Sequence, residues 1–247
     1  MRCSRRGVPS AMEGGAGRGV SLIVAARVVR EHDFHACGGV LMVDHYYTDH
    51  PTGASDPRDL EATVRGCRLR LTVDRGVFSR RGIDFGSRLL AETIVVQGGD
   101  RLLDLGCGYG VVGIALACDE PGLQVVAADV NERAVSLAHR NIAANGLAGR
   151  MAAVCADGAR EVAPGLVFDV IALNPPVRAG KAVVWRLYGE AAARLAVRGA
   201  LWVVIQKKQG ADSTRRRLEE LFAEVAVVRR DGGYRVFRAT APRESRE

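Results

Sequence analysis

The chain has 247 residues, 48% of them hydrophobic, with 35 basic against 28 acidic side chains and a formal net charge of +7. That length holds one full α/β domain with an appendage and excludes two large domains. Arginine supplies 32 of the 35 basic residues, Lys181, Lys207 and Lys208 being the lysines, so the basic balance suits a nucleic-acid partner and suits an arginine-rich proteome equally well.

Residues 1–41 are rich in Gly, Arg and Ala without a sustained period, which predicts a disordered extension or a start codon set upstream of Met42. The apolar run from Val20 to Ala26 stops at Arg27, short of the ~20 residues a membrane span requires and without a signal-peptide cleavage pattern. His32, His35, His45 and His50 cluster without a nearby cysteine, and the closest cysteines, Cys107 and Cys118, form no C-x-x-C. Neither a metal site nor a disulfide framework is expected, and a reducing, cytoplasmic setting fits. Residues 42–90 form a lead-in. Within it 61–65 and 68–73 alternate apolar with polar around Gly66-Cys67, a β-hairpin pattern, and Ser87 is placed to cap a helix running to Ile94.

From 91 to 240 strand and helix alternate, ahead of a tail at 241–247. Strands are predicted at 101–105, 124–129, 151–155, 168–173 and 200–205, with helices near 110–118, 132–145, 181–196 and 212–222. Asn131 suits an N-cap and Gly146 a helix stop. Two further strands, 225–229 and 234–238, join through Asp231-Gly232-Gly233. The pattern predicts a Rossmann-like α/β fold: a seven-stranded, mostly parallel sheet with helices on both faces, an antiparallel C-terminal hairpin, and a small β-hairpin in front. On the helix at 212–222, Arg215, Arg216 and Arg217 read as a solvated face.

The chemistry concentrates where strands end. Asp104-Leu105-Gly106-Cys107-Gly108-Tyr109-Gly110 follows the first core strand, and alternating glycines there let backbone approach a ligand. Counted from Gly106, the dinucleotide spacing G-x-G-x-x-G fails at Val111. Asp129, followed by Val130, closes the second strand, where a carboxylate can accept two ribose hydroxyls or merely support the next helix cap. Asp157 follows the third strand in an Asp-Gly turn. Leu173-Asn174-Pro175-Pro176-Val177 ends the fourth, and its two prolines remove donors while leaving carbonyls free to accept from a planar amine.

Together these residues resemble the small-domain methyltransferase family, which includes the RsmC-type ribosomal RNA enzymes. The resemblance covers residues 43–240: Gly76-Val77-Phe78-Ser79 with Asp84-x-Gly86-Ser87, the loop Asp104 to Gly110, Asp129-Val130-Asn131, Asn174-Pro175-Pro176 with Arg178-Ala179-Gly180-Lys181, and Tyr234-Arg235-Val236. It implies S-adenosylmethionine as cofactor, held by Asp104, Gly106, Cys107, Gly108, Gly110, Asp129, Val130 and Asp157, the last accepting from the adenine amino group. Asn174, Pro175 and Pro176 are implied as catalytic, the Asn174 oxygen and the Pro175 carbonyl accepting an NH₂ group. The implied reaction is methylation of a guanine N2 in small-subunit ribosomal RNA, free or within the subunit, with no metal and no membrane partner. Val177 stands where many members carry an aromatic able to stack on the base, a contact worth ~1–3 kcal/mol. Phe78, Tyr46 and Tyr47 are candidate replacements, and Arg178, Lys181, Lys207 and Lys208 are candidate phosphate contacts. The chain resembles the shorter, single-domain branch. Two other readings stay open: methylation of a protein glutamine or a small-molecule amine, and a non-catalytic RNA-binding assembly factor.

Overall fold

Alternation along the strands decides the architecture. In β3 (Arg101–Leu105) Leu102 packs on one side of the sheet while Leu103 and Leu105 pack on the other, and β4 (Gln124–Asp129) splits Val125 and Ala127 from Val126 and Ala128 in the same way. Strands apolar on both faces require cover on both. The computed structural model describes residues 55–74, 77, 82–162 and 165–243. The expected extension at 1–41, the four N-terminal histidines, Tyr46, Tyr47 and Phe78 lie outside the described residues.

A two-stranded antiparallel sheet, β1 (Arg58–Val64) and β2 (Cys67–Val73), precedes α1 (Phe85–Thr93). After β3 come α2 (Val111–Asp119), β4, α3 (Glu132–Ala144), β5 (Met151–Cys155), β6 (Phe168–Leu173), α4 (Lys181–Ala193), β7 (Leu195–Gln206), α5 (Ala211–Leu221), β8 (Phe222–Asp231) and β9 (Tyr234–Pro242). The large sheet has seven strands in the order β5-β4-β3-β6-β7-β9-β8. Its first five neighbours run parallel, and β9 joins β7 and β8 antiparallel. Buried residues of α1, α2 and α3, with Leu69, Leu71 and Val73 of the hairpin, cover one face. Val184, Leu187, Tyr188 and Ala191 of α4, with Ala211 and Leu218 of α5, cover the other.

Several boundaries differ from those expected, each for a local reason. Arg65 and Gly66, both with left-handed φ (53° and 76°), form the first hairpin turn, so Cys67 opens β2 instead of lying in the turn. Asp84, not Ser87, caps α1, because its side chain accepts from the Ser87 N–H at 3.0 Å. The fourth expected helix stops at Ala193, and Leu195 already pairs with Phe168 before the ladder shifts register. The last hairpin is longer than read, and β8, its outer strand, shifts register between Val227 and Arg229. On α5, Arg215 and Arg217 pair with Glu219 and Glu220, as a solvated face requires.

The small hairpin does not join the large sheet. Two asparagines one turn apart on α3 act on its open edge as a strand would. Asn141 accepts from the Thr72 N–H at 2.6 Å and donates to the Thr72 carbonyl at 3.0 Å, while Asn145 makes the same pair with Arg70 at 3.0 and 2.7 Å. Asn141 is fully buried and also donates to the Tyr109 carbonyl at 2.9 Å, reaching the glycine loop. Arg65 anchors the far end of the hairpin by donating to the carbonyls of Ala91 and Ile94, where α1 ends.

Removing the buried amide strands a main-chain donor and two acceptors, so Asn141→Ala should cost about 2–4 kcal/mol in urea unfolding. Asn145→Ala, at a site open to water, should cost about 1 kcal/mol or less. Equal losses would show that the Thr72 and Tyr109 contacts carry no special weight.

Candidate active site at the strand carboxyl ends

In chain order β3, β4 and β5 step one way across the sheet while β6 and β7 step the other, which opens a crevice beyond the carboxyl ends of β3 and β6. The glycine loop leaves β3 there, and Asn174-Pro175-Pro176 leaves β6. Gly106, Gly108 and Gly110 all have left-handed φ, of 69°, 56° and 89°. A Cβ on Gly106 or Gly108 would meet nothing within 4 Å. Their glycine identity therefore serves the backbone turn and leaves open space above it.

Gly113 serves close packing instead. A Cβ there would lie 2.9 Å from the Met151 methyl and 3.2 Å from the Asp104 carboxylate. Counted from Gly108, the residues Gly108, Gly110 and Gly113 do satisfy G-x-G-x-x-G, with the last glycine at the helix–strand contact that the pattern reserves for it. The exclusion of a dinucleotide by counting from Gly106 is therefore corrected. Spacing alone does not choose between the two kinds of ligand.

Two carboxylates hold this loop. Asp129 accepts from the Gly108 N–H at 2.8 Å through one oxygen and from the Asn131 N–H at 2.9 Å through the other. The Val130 N–H bonds the same carboxylate, so part of its accepting capacity remains. Asp104 lies beneath the loop at 3% exposure, and its Oδ2 accepts from the Gly113 N–H at 2.9 Å. Burial raises the affinity of both for protons, that of Asp104 to a pKa of about 7, and the main-chain donors oppose the shift. Neither has an ion pair among the described residues. A ligand with cationic groups and vicinal hydroxyls fits that donor set, and S-adenosylmethionine has both. Burial and the two carboxylates also push the Cys107 thiol well up, which leaves it a poor nucleophile. Val130 is partly buried beside Asp129, and its carbonyl accepts from the Cys155 thiol.

Asn174 is set by the lead-in. Its Nδ2 donates to the Ser87 hydroxyl at 3.0 Å and to Asp84 Oδ1 at 3.4 Å, the carboxylate that caps α1. Those partners orient the amide with Oδ1 as its free acceptor, to which no described residue donates. The carboxylate behind Nδ2 polarises the amide and strengthens that acceptor. Ser87, read from sequence as a cap, is therefore a partner of Asn174. Pro176 (φ −75°, ψ 72°) centres a tight turn in which the Val177 N–H donates to the Pro175 carbonyl at 2.9 Å. One lone pair of that carbonyl remains.

The other expected residues divide. Asp157 lies at the same end of the sheet, but its Oδ1 is bound by Arg186 at 2.6 Å, and Arg186 also holds the Asp157 carbonyl and the buried Glu190. Glu190 in turn accepts from the Ala159 N–H. Arg186 thus occupies one of the two oxygens that were expected to face an adenine amine. Arg178 and Lys181 flank the turn after Pro176, and Lys207 and Lys208 follow β7, with Lys181, Lys207 and Lys208 all exposed. Val177 is half-buried. Among the described residues no cluster of potential metal ligands occurs, and no helix is long and apolar enough to cross a membrane.

Residues 68–238 match the family model described as methyltransferase small domain. The uncharacterized protein YbxB of Bacillus subtilis (strain 168) is 42% identical over 201 residues, 80% of this chain and 98% of that one. Ribosomal RNA large subunit methyltransferase G of Streptomyces avermitilis is 34% identical over 174 residues, 68% of this chain and 44% of the relative. Among solved structures, the T. thermophilus 16S rRNA N2 G1207 methyltransferase (RsmC), in complex with AdoMet and guanosine, aligns with a TM-score of 0.67 at 27% identity, over 78% of this chain and 52% of that one. The chain thus spans about half the length of these ribosomal RNA enzymes.

The raised pKa of Asp104 predicts an unusual pH dependence. The folded state holds this proton up to about pH 7 while the unfolded chain releases it near pH 4, so the contribution of Asp104 to stability is present below pH 4 and lost as pH rises through 7. The Asp104→Asn variant keeps an acceptor for Gly113 without the charge and should gain on the wild type by a few kcal/mol between about pH 4 and 7. A constant difference in denaturation midpoint across that range would contradict the assignment.

Proposed function

The chain belongs to the methyltransferase small domain family and is an S-adenosylmethionine-dependent methyltransferase, and from that premise we propose that its acceptor is the exocyclic N2 of a guanine in small-subunit ribosomal RNA. The observation that carries the amine assignment is the oriented amide of Asn174, with Ser87 and Asp84 on its nitrogen and its oxygen left to accept. The ribosomal substrate is supported by what the related enzymes act on.

An exocyclic amine is a weak nucleophile because its lone pair is delocalised into the ring. When bound, S-adenosylmethionine supplies an electrophilic methyl group. Asp129 and the Gly106–Gly110 backbone are proposed to hold it, Asp129 through its remaining lone pairs. The Asn174 oxygen and the Pro175 carbonyl accept the two N–H groups of the guanine amine, which turns the nitrogen lone pair toward the methyl. Positive charge develops on that nitrogen as the new bond forms, and the same two oxygens, fixed beforehand, stabilise it. No side chain needs to remove a proton first, and the extra proton leaves afterwards to water.

Asp129→Ala should weaken S-adenosylmethionine binding at least about a hundredfold in calorimetry, because two charge-assisted contacts and a loop support go together. Asn174→Ala should leave that binding within about threefold while turnover falls roughly a hundredfold or more. Retained turnover would remove Asn174 from the reaction. Modification maps of both ribosomal RNAs, from cells with and without the gene, should differ by one N2-methylguanine in the small subunit. A lost mark in the large subunit would reassign the substrate, and unchanged maps would exclude ribosomal RNA.

A further inference from the structure

Resting on the RNA reading above, we infer that the aromatic pair Phe85 and Tyr234, at the hairpin turn to which the lysine turn after β7 is tied, holds a nucleobase of the substrate strand next to the guanine received by Asn174.

Phe85 opens α1 and is 44% exposed, one residue from the carboxylate that orients Asn174. An exposed ring so close to the acceptor asparagine offers a face on which a base can stack. Its ring centroid lies 5.3 Å from that of Tyr234 with the planes at 40°. The β8–β9 turn closes against the Phe85 ring: Gly232 has a φ of 52°, and a Cβ on it would lie 2.6 Å from the ring. Tyr234 extends the surface toward the acceptor, since a Cβ on Gly86 would sit 3.1 Å both from its ring and from Asp84 Oδ1. Asp84, Tyr234 and Phe85 thus form a continuous path leading away from Asn174.

Lys208, exposed in the turn after β7, has no ion pair among the described residues and suits a phosphate of the same strand. The Lys207 N–H donates to the Gly233 carbonyl at 2.8 Å, which ties the lysine turn to the hairpin turn. An aromatic face accepts any base, so this site adds grip on the strand without selecting the guanine.

The test is equilibrium binding of the full chain to an oligoadenylate and to an abasic strand of equal length, at one ionic strength. The wild type should prefer the base-bearing strand by about tenfold. Phe85→Ala should abolish that preference without changing affinity for the abasic strand or for S-adenosylmethionine, and Phe85→Trp should keep it. Lys208→Ala should weaken both strands alike and flatten their salt dependence. No preference in the wild type, or an equal change on both strands in Phe85→Ala, overturns the inference. Base preference of this kind alongside unchanged ribosomal RNA maps would overturn the ribosomal substrate and leave the aromatic site standing. A lost methylguanine alongside binding indifferent to Phe85 would do the reverse.

Discussion

The buried amide of Asn141 ties three parts of the chain together. It pairs with Thr72 of the lead-in hairpin and with the carbonyl of Tyr109 in the glycine loop, and it belongs to the helix that follows Asp129. The hairpin has no strand contact with the large sheet, and this amide, Asn145 and the grip of Arg65 on the end of α1 add to its packed apolar face in holding it. The start of α1 then delivers Asp84 and Ser87 to Asn174. A chain of hydrogen bonds and one helix therefore fix Asn174 relative to the glycine loop.

The sheet was legible because apolar residues on both faces of five strands leave no other period, and the caps at Asn131 and Gly146 mark their own positions. The acidic strand end at Asp129 and the Asn174-Pro175-Pro176 turn were legible as chemistry for the same local reason. What could not be read locally was partnership across the chain. Nothing around Ser87 announces that its hydroxyl meets Asn174, 87 positions away, and nothing around Arg186 announces its hold on Asp157. The glycine count shows a different limit. A spacing rule has a starting point, and only the packing of Gly113 against Met151 and Asp104 shows which glycines share which task.

The glycine-loop side of the crevice is built at some expense to the fold. The buried Asp104 and the half-buried Asp129 have no ion pair among the described residues, burial raises the proton affinity of both, and their main-chain partners offset only part of that. The Asn174 side spends nothing comparable. Asn174 is neutral, and the prolines beside it obtain rigidity from their rings.

Among the described residues the outer strand β8 leaves one long edge of the seven-stranded sheet unpaired, and half-exposed Val228 stands on it. Such an edge is a ready template for a strand from another molecule. The register shift between Val227 and Arg229 interrupts its ladder at that point, and Arg229 and Arg230 follow at once. A bulge twists an edge out of the flat form that intermolecular pairing needs, and paired arginines repel an identical copy. The irregularity that makes this hairpin look less ideal is thus a guard against self-templated aggregation, placed where the molecule is otherwise most open to it.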